Sequence, residues 1–523
     1  MELGRLPAFA RALLAGEAAE LLAPARFLVP GAMPAGTTRP VERAGVARGL
    51  GIANAAYGHP RARELAAKLA DPATRVIATG QQTGLFGGPL LALTKAAAAT
   101  RWAEALEAAG TSAVAVFWMA TEDHDWNEAS TATFLAPDGP RALRLGDDPQ
   151  PLAPIGLRTV GPTVEPLLAE LATLFPTEWF RAHLETLARF WRPEARFGEA
   201  FARTHVALLG ARAPLYLDAL LPELKAAELP HLARLVERRR EHAEAVARAE
   251  QRVAAHGFSL QVPSQPGASP LFLLRDGARR KVEWRGADEF AVRGEAADAR
   301  PIAALLAAIA DNPAVVSPGV LARPAIQDAV LGTALLLLGP SELAYLPQVI
   351  PAYEALGIEP PWIALRPQAM VLDAKSREHL AGLNLSLAEL LADPDAATRR
   401  LGERAGGDFV APLRAEVAER LAALEPAAVA LDANLGKPFA RTRDSVLSAL
   451  DAFAAKVAQA AARRAGDGER RLEQLRHLVL PAGTLQERQL ATAWFAGKFG
   501  EGFAGALADG LDLDPRRLAV IVP

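Results

Sequence analysis

The chain has 523 residues, more than one compact core can organise, so roughly two to four domains or large insertions are expected. It is 51% hydrophobic and 22% charged, a globular balance, and its net charge of −3 supplies no global pull toward nucleic acid or an anionic membrane. It contains no cysteine, which excludes disulfides, a thiolate nucleophile, thiolate-bound zinc and iron–sulfur clusters.

The opening segment, MELGRLPAFARALLAGEAAELLAP, carries glutamates and no long apolar core, so no signal peptide is expected. No apolar run reaches ~18 residues, so no membrane span is expected, and the expected location is the cytoplasm. Arg75–Thr79 reads as a buried strand bounded by Asp71-Pro72 and Gly80. Past a glycine-rich loop, Pro89 suits the first turn of a helix whose Leu90, Leu93, Ala97 and Trp102 recur at helical spacing. Gly110 ends that helix, and Ala113–Met119 (AVAVFWM) is a second apolar run. Neither run alternates, which indicates a parallel pair buried on both faces: a βαβ unit opening a Rossmann-like sheet.

Residues from about 140 to 310 read as an insertion of helical segments and one hairpin, Pro270 to Trp284, turning at Asp276-Gly277. Within it, Arg238-Arg239-Arg240 lies among glutamates and reads as a solvated helix face. The sheet is expected to resume with Thr333–Leu338, a helix to Leu356 and Pro361–Leu365. Residues 376–479 read as helical. Val410, Leu413, Val417, Leu421 and Leu424, and then Val446, Leu450, Phe453 and Val457, are spaced by three and four. That suits an antiparallel helical hairpin or coiled coil; two packed helices of a single domain are the plainer alternative. Gly466-Asp467-Gly468 should break the second helix. The expected domains are a Rossmann-like α/β core over 1–375, a helical coiled-coil domain over 376–479, and a segment over 480–523 that returns to the core.

In parallel α/β sheets, ligands bind beyond the carboxyl ends of the strands, and two loops occupy that place. Gly80–Gly88 follows neither the Walker A nor the GxGxxG pattern; its glycines stand at 80, 84, 87 and 88. Its freed backbone N–H groups and the helix start at Pro89 offer an anion site, and Gln81 and Gln82 add uncharged amides. A tight connection that merely needs glycines is the alternative; two adjacent glutamines favour a ligand. The second loop, ATEDHDWN, places Glu122, Asp123, His124 and Asp125 in succession. A solvated acidic loop is the plain alternative. Flanking carboxylates are expected to raise the His124 pKa and set its tautomer, which suits an acid/base or metal site. Consecutive side chains diverge, so at most two could ligate one ion. Arg323, Gln327 and Asp328, then Ser341, Glu342 and Arg366, stand at later loop positions, where a salt bridge is the plainer role for either arginine.

Taken together, ATGQQTGLFGGPLLALTKA, VFWMATEDHDWNE, SPGVLARPAIQDAVL, GPSELAYLPQV, LRPQAMVLD and TLQERQLATAWFAGKFG resemble successive motifs of the bacillithiol biosynthesis cysteine-adding enzymes. The resemblance spans nearly the full length. The two loops are its most specific parts, while the central insertion and the coiled-coil region match only in pattern. The tail departs from it: where a tyrosine-rich, Asn-containing stretch is usual, this chain reads Trp494-Phe495-Ala496-Gly497-Lys498-Phe499-Gly500. The resemblance implies a coiled coil used for homodimerisation. It also implies the last step of bacillithiol synthesis, in which the carboxylate of L-cysteine is joined to the amine of glucosaminyl malate. Those two small molecules are then the expected partners, with no nucleic acid and no membrane.

Joining a carboxylate to an amine in water is uphill, so a nucleotide (ATP or ADP) is expected in the site, and the metal requirement is open. His124, poised by Asp123 or Asp125, is the candidate base for the amine. Gly80, Gln81, Gln82, Thr83, Gly84, Gly87 and Glu122 are candidates to hold the activated acid or cosubstrate. Arg323, Gln327, Ser341, Glu342, Arg366 and Lys498 complete the candidate binding set. The rivals are a nucleotidyltransferase of the same fold and a non-catalytic scaffold that uses its coiled coil.

Overall fold

The computed structural model describes residues 6–28, 41–295, 299–402, 409–464 and 466–523. The chain divides into two compact units, Met1–Val371 with Glu487–Pro523, and Leu372–Gln486.

The first unit is built on a six-stranded sheet. Across it the strands are Arg26–Phe27, Trp362–Leu365, Thr333–Leu338, Arg75–Gln81, Ala113–Met119 and Leu215–Asp218, every neighbouring pair parallel. The expected βαβ unit forms: Arg75 pairs with Ala113 and the register runs on to Gln81 with Met119, with the helix Leu90–Ala108 between the strands. Ala113–Met119 is buried at every position, which is why it shows no alternation. The late apolar segments join the same sheet on the other side of Arg75–Gln81. The order in which the chain adds strands, outward on one side of Arg75–Gln81 and later outward on the other, therefore switches between Arg75–Gln81 and Thr333–Leu338. Such a switch point leaves a crevice at the carboxyl ends of the strands.

The span from about 140 to 310 is more than an insertion. Leu215–Asp218 lies inside it and forms an edge strand of the main sheet. Four residues are too few to show a period, so this strand left no mark in the sequence. The hairpin is present: Ala268–Arg275 pairs antiparallel with Ala278–Arg285, and Asp276 and Gly277 take positive φ of 51° and 76°. An Asp-Gly turn of that hand matches the twist of the strands it joins. The hairpin belongs to a five-stranded antiparallel sheet that also takes Val316–Pro318, beyond the expected boundary.

Within the first unit the tail forms helices at Thr492–Phe499 and Phe503–Gly510, and its strand Leu518–Ile521 pairs parallel with Gln368–Val371. The second unit is helical. Its two long helices, Val410–Leu431 and Gly436–Arg464, are joined by a short turn and run antiparallel. Ion pairs from Arg414 to Asp451 and from Glu425 to Arg443 fix their register. The second helix ends at Arg464, and Gly466, at φ +60°, precedes a new one from Asp467. Among the described residues no helix is long and apolar enough to cross a membrane.

Candidate functional site

At the switch point lies a cavity of about 820 Å³, walled by both loops and by the hairpin sheet. From the first loop only Gly80, Gln81 and Gln82 reach it. Gly80 must be glycine because a Cβ would sit 2.9 Å from the Trp118 carbonyl oxygen on the adjacent strand. Thr83, Gly84 and Gly87 do not line the cavity and instead build the turn. Gly84 is extended, and a Cβ there would meet Gly88 Cα at 2.7 Å; Gly87 sits at φ +88° with its carbonyl accepting from His205 Nε2 at 2.8 Å. The anion site expected at Pro89 is closed as well. Leu90 N donates to Leu490 O at 2.9 Å, and Pro89 pairs with Ala491, so the tail covers the helix start.

Lys95, one turn further along that helix, takes over the cationic role. It is buried, and its ammonium donates to Gly80 O at 2.7 Å, Gln81 Oε1 at 2.9 Å and Glu342 Oε2 at 2.5 Å. Burial lowers its pKa, and Glu342 works against that shift. Burial by itself would raise the Glu342 carboxyl, but Lys95 beside it and the Gly339 N–H, donating at 2.7 Å, hold it below the ordinary range. The double glutamine is thereby explained: Gln81 receives Lys95, and Gln82 Nε2 donates to Asp123 Oδ2, tying the two loops together.

In the second loop Asp123 also accepts the His124 N–H at 2.7 Å. His124 is partly buried on the cavity wall, with Nδ1 3.4 Å from Arg279 and 3.8 Å from Asp123. Its pKa moves opposite to expectation. Burial first, and the Arg279 guanidinium second, lower it from the ordinary 6.5 and outweigh Asp123 and Asp125. Arg279 came from the hairpin, 155 residues away in sequence, so the sign was not visible locally. An arginine cannot accept, so Nδ1 is the acceptor nitrogen and Nε2 carries the proton. Asp125 does not reach the cavity; its Oδ1 accepts from Glu128 N at 3.0 Å and caps the helix Trp126–Ala129. Glu122 lines the cavity and pairs with Lys225 at 2.6 Å, and Lys225 pairs in turn with Glu228 at 2.7 Å. Burial pushes the Glu228 carboxyl up to about 7 even beside that lysine.

Arg323, Ser341, Glu342 and Arg366 all reach the cavity. Gln327 does not. It is fully buried and braces Arg323, accepting from it at 3.2 Å. Arg366 is anchored by Glu487 at 2.7 Å and by Pro367 O at 2.9 Å, while its buried Nε has no partner. Lys498 does not line the cavity; it lies over Trp494 at 5.0 Å and Phe499 at 5.2 Å. Arg488 is the tail's contribution instead. The hairpin sheet adds Arg279, which stacks at 3.8 Å on Phe272, with Lys281 and Trp284. Lys95 carried a readable signal, a lone lysine in the apolar run LLALTKAAAA. Arg279, Lys225 and Glu228 carried none.

A doubly wound sheet with a polar cavity at its switch point, an imidazole of lowered pKa on one wall and several cations around it, defines a Rossmann-like α/β protein with a candidate ligand site. The family model described as "Bacillithiol biosynthesis BshC, N-terminal Rossmann-like domain" matches residues 34–367, and the one described as "Bacillithiol biosynthesis BshC, C-terminal coiled-coil domain" matches residues 369–514. The chain belongs to the bacillithiol biosynthesis BshC family. A relative from Thermus thermophilus is 32% identical over 465 residues, covering 85% of this chain and 91% of its own. One from Koribacter versatilis is 30% identical over 492 residues, covering 92% and 91%. A third, from Salinibacter ruber, is 28% identical over 496 residues, covering 92% and 89%. All three bear the name "Putative cysteine ligase BshC".

Proposed function

We propose that the chain joins the carboxylate of L-cysteine to the amine of glucosaminyl malate, with the carboxylate activated by ATP. The observation that carries this reading is His124, an imidazole kept neutral by burial and Arg279 in a cavity otherwise rich in cations. Activation turns the acid into an adenylate or acyl phosphate, whose leaving group is anionic. Arg323 and Arg488 are the donors for that charge, with Arg366 on the same wall. The attacking amine forms the new C–N bond as the C–O bond to the leaving group breaks, and its proton passes to His124 Nδ1. For this the amine displaces the long Arg279 contact. Lys95 and Glu342 keep the loops in register around the reacting groups. The cavity also has the size to hold a nucleotide and a small acid together, with Trp284 as an aromatic wall.

The test is the complete reaction with each component omitted in turn, read by mass spectrometry for the thiol product and for the nucleotide product. Product that needs all three components supports the reading and shows which phosphate is attacked. Nucleotide turnover without an amide product points to a nucleotidyltransferase.

The exposed apolar side chains of the long helices support a homodimer. Leu413, Leu424 and Phe453 are 48%, 57% and 52% exposed. A coiled-coil seam left open to water is costly, and a two-fold mate covers it with the same residues from both sides.

A further inference from the structure

Glu122 is a buried carboxylate with one oxygen left over. It is 5% exposed, and its Oε1 accepts from Lys225 Nζ at 2.6 Å. The same ammonium donates to Glu228 Oε2 at 2.7 Å and to Val316 O at 2.9 Å, which uses its three protons. One cation therefore serves two carboxylates. Glu228 is fully buried, stands away from the cavity wall, and its Oε1 has no partner. Asp123 is the neighbouring carboxylate on this wall and Arg279 the neighbouring cation. Lys225 is shared between two carboxylates, so Glu122 has no cation of its own, and Glu122 is the one of the two that lines the cavity. Among the described residues its Oε2 makes no hydrogen bond, and the residue lines the cavity. That oxygen is open to the cavity, where a cation or a strong donor can reach it. Among the described residues no group of three or more histidine, aspartate or glutamate side chains is placed to hold a metal ion.

We propose that Glu122 receives the α-ammonium of the amino-acid substrate, with Lys225 and Glu228 as positioning residues behind it. The proposal rests on the ligase reading above and deepens it. An amino acid activated at its carboxyl carries its own nucleophile, and a free amine would attack a second activated molecule. Held on Glu122 as an ammonium, that amine has no lone pair to attack with. The sugar amine, meeting the neutral His124, is then the one that reacts. The two amines are told apart by which side chain each one meets.

The experiment is calorimetric titration of the full chain with L-cysteine and with 3-mercaptopropionate, which keeps the thiol and carboxylate and lacks the amine. Wild type should bind cysteine more tightly by roughly 30-fold or more, the usual effect of removing one partner of a buried charge pair. Glu122→Gln keeps the shape and an acceptor for Lys225, and should erase that preference. Glu228→Gln frees Lys225 to neutralise Glu122, so it should reduce the preference while leaving 3-mercaptopropionate binding unchanged. A merely structural role for Glu228 would weaken both ligands together. Equal affinities in wild type, no cysteine binding, or a preference retained in Glu122→Gln overturns the proposal. Melting curves confirm that the variants are folded; if Glu122→Gln is not, the wild-type ratio and Glu228→Gln decide. The ligase reading fails separately, if the complete reaction yields no amide while the preference for cysteine persists.

Discussion

At the scale of single residues, the site is a set of charges whose signs are fixed from far away in sequence. His124 is flanked by two aspartates, and a local reading gives a raised pKa. One of those aspartates turns to cap a helix, and burial with Arg279 reverses the shift. This has a measurable consequence. A base works when neutral, so kcat/KM should fall only as pH drops through a value below the ordinary 6.5 of a histidine. Removing the guanidinium with Arg279→Gln raises the folded-state pKa of His124, so the acidic limb should move to higher pH. A limb that stays in place in the variant would show that Arg279 does not set the protonation of His124. The placement of Gln81, Gln82, Glu122, Asp123, His124, Arg323, Ser341, Glu342 and Arg366 on the cavity wall was legible because each follows or opens an element at the carboxyl edge of the sheet. Thr83, Gln327 and Lys498 do not line the cavity: a polar residue near a site serves packing or bracing as readily as a ligand, and sequence does not show which way it points.

At the scale of elements, the glycine-rich loop is a structural turn whose first third reaches the cavity. Gly84 is extended, so its glycine is required by closeness to Gly88 Cα, 2.7 Å from an added Cβ, and not by a positive φ. Gly84→Val should therefore overpack the turn and cost about 1–3 kcal/mol of stability, with a lowered Tm, before any effect on ligands. Loss of ligand binding at an unchanged Tm would return the loop to a direct binding role. The βαβ unit, the late strands and the helical hairpin were legible because long, fully buried or periodic segments carry their own signal. Leu215–Asp218 and Val316–Pro318 were not, since strands of four and three residues fall below any period. The second of these sets Ser317 and Pro318 against Arg279, bonded at 2.9 and 3.0 Å, and so helps build the wall opposite the main sheet.

At the scale of the whole molecule, two matters remain joined to function: assembly and the reaction itself. The long helices pair through ion pairs along one side and leave Leu424 and Phe453 largely open to water. Leu424→Glu with Phe453→Glu should convert a homodimer to a monomer by light scattering while leaving the first unit's melting transition in place. A wild-type monomer at micromolar concentration would mean that these side chains are not an interface. The reaction is tested most directly by the rate of amide formation from L-cysteine, glucosaminyl malate and ATP, measured by mass spectrometry for wild type and His124→Ala side by side. Wild type should yield product, and the variant should be slower by ~10²–10⁴-fold, the usual range for loss of a general base. No product from wild type, or equal rates from the two proteins with the variant folded, would contradict it.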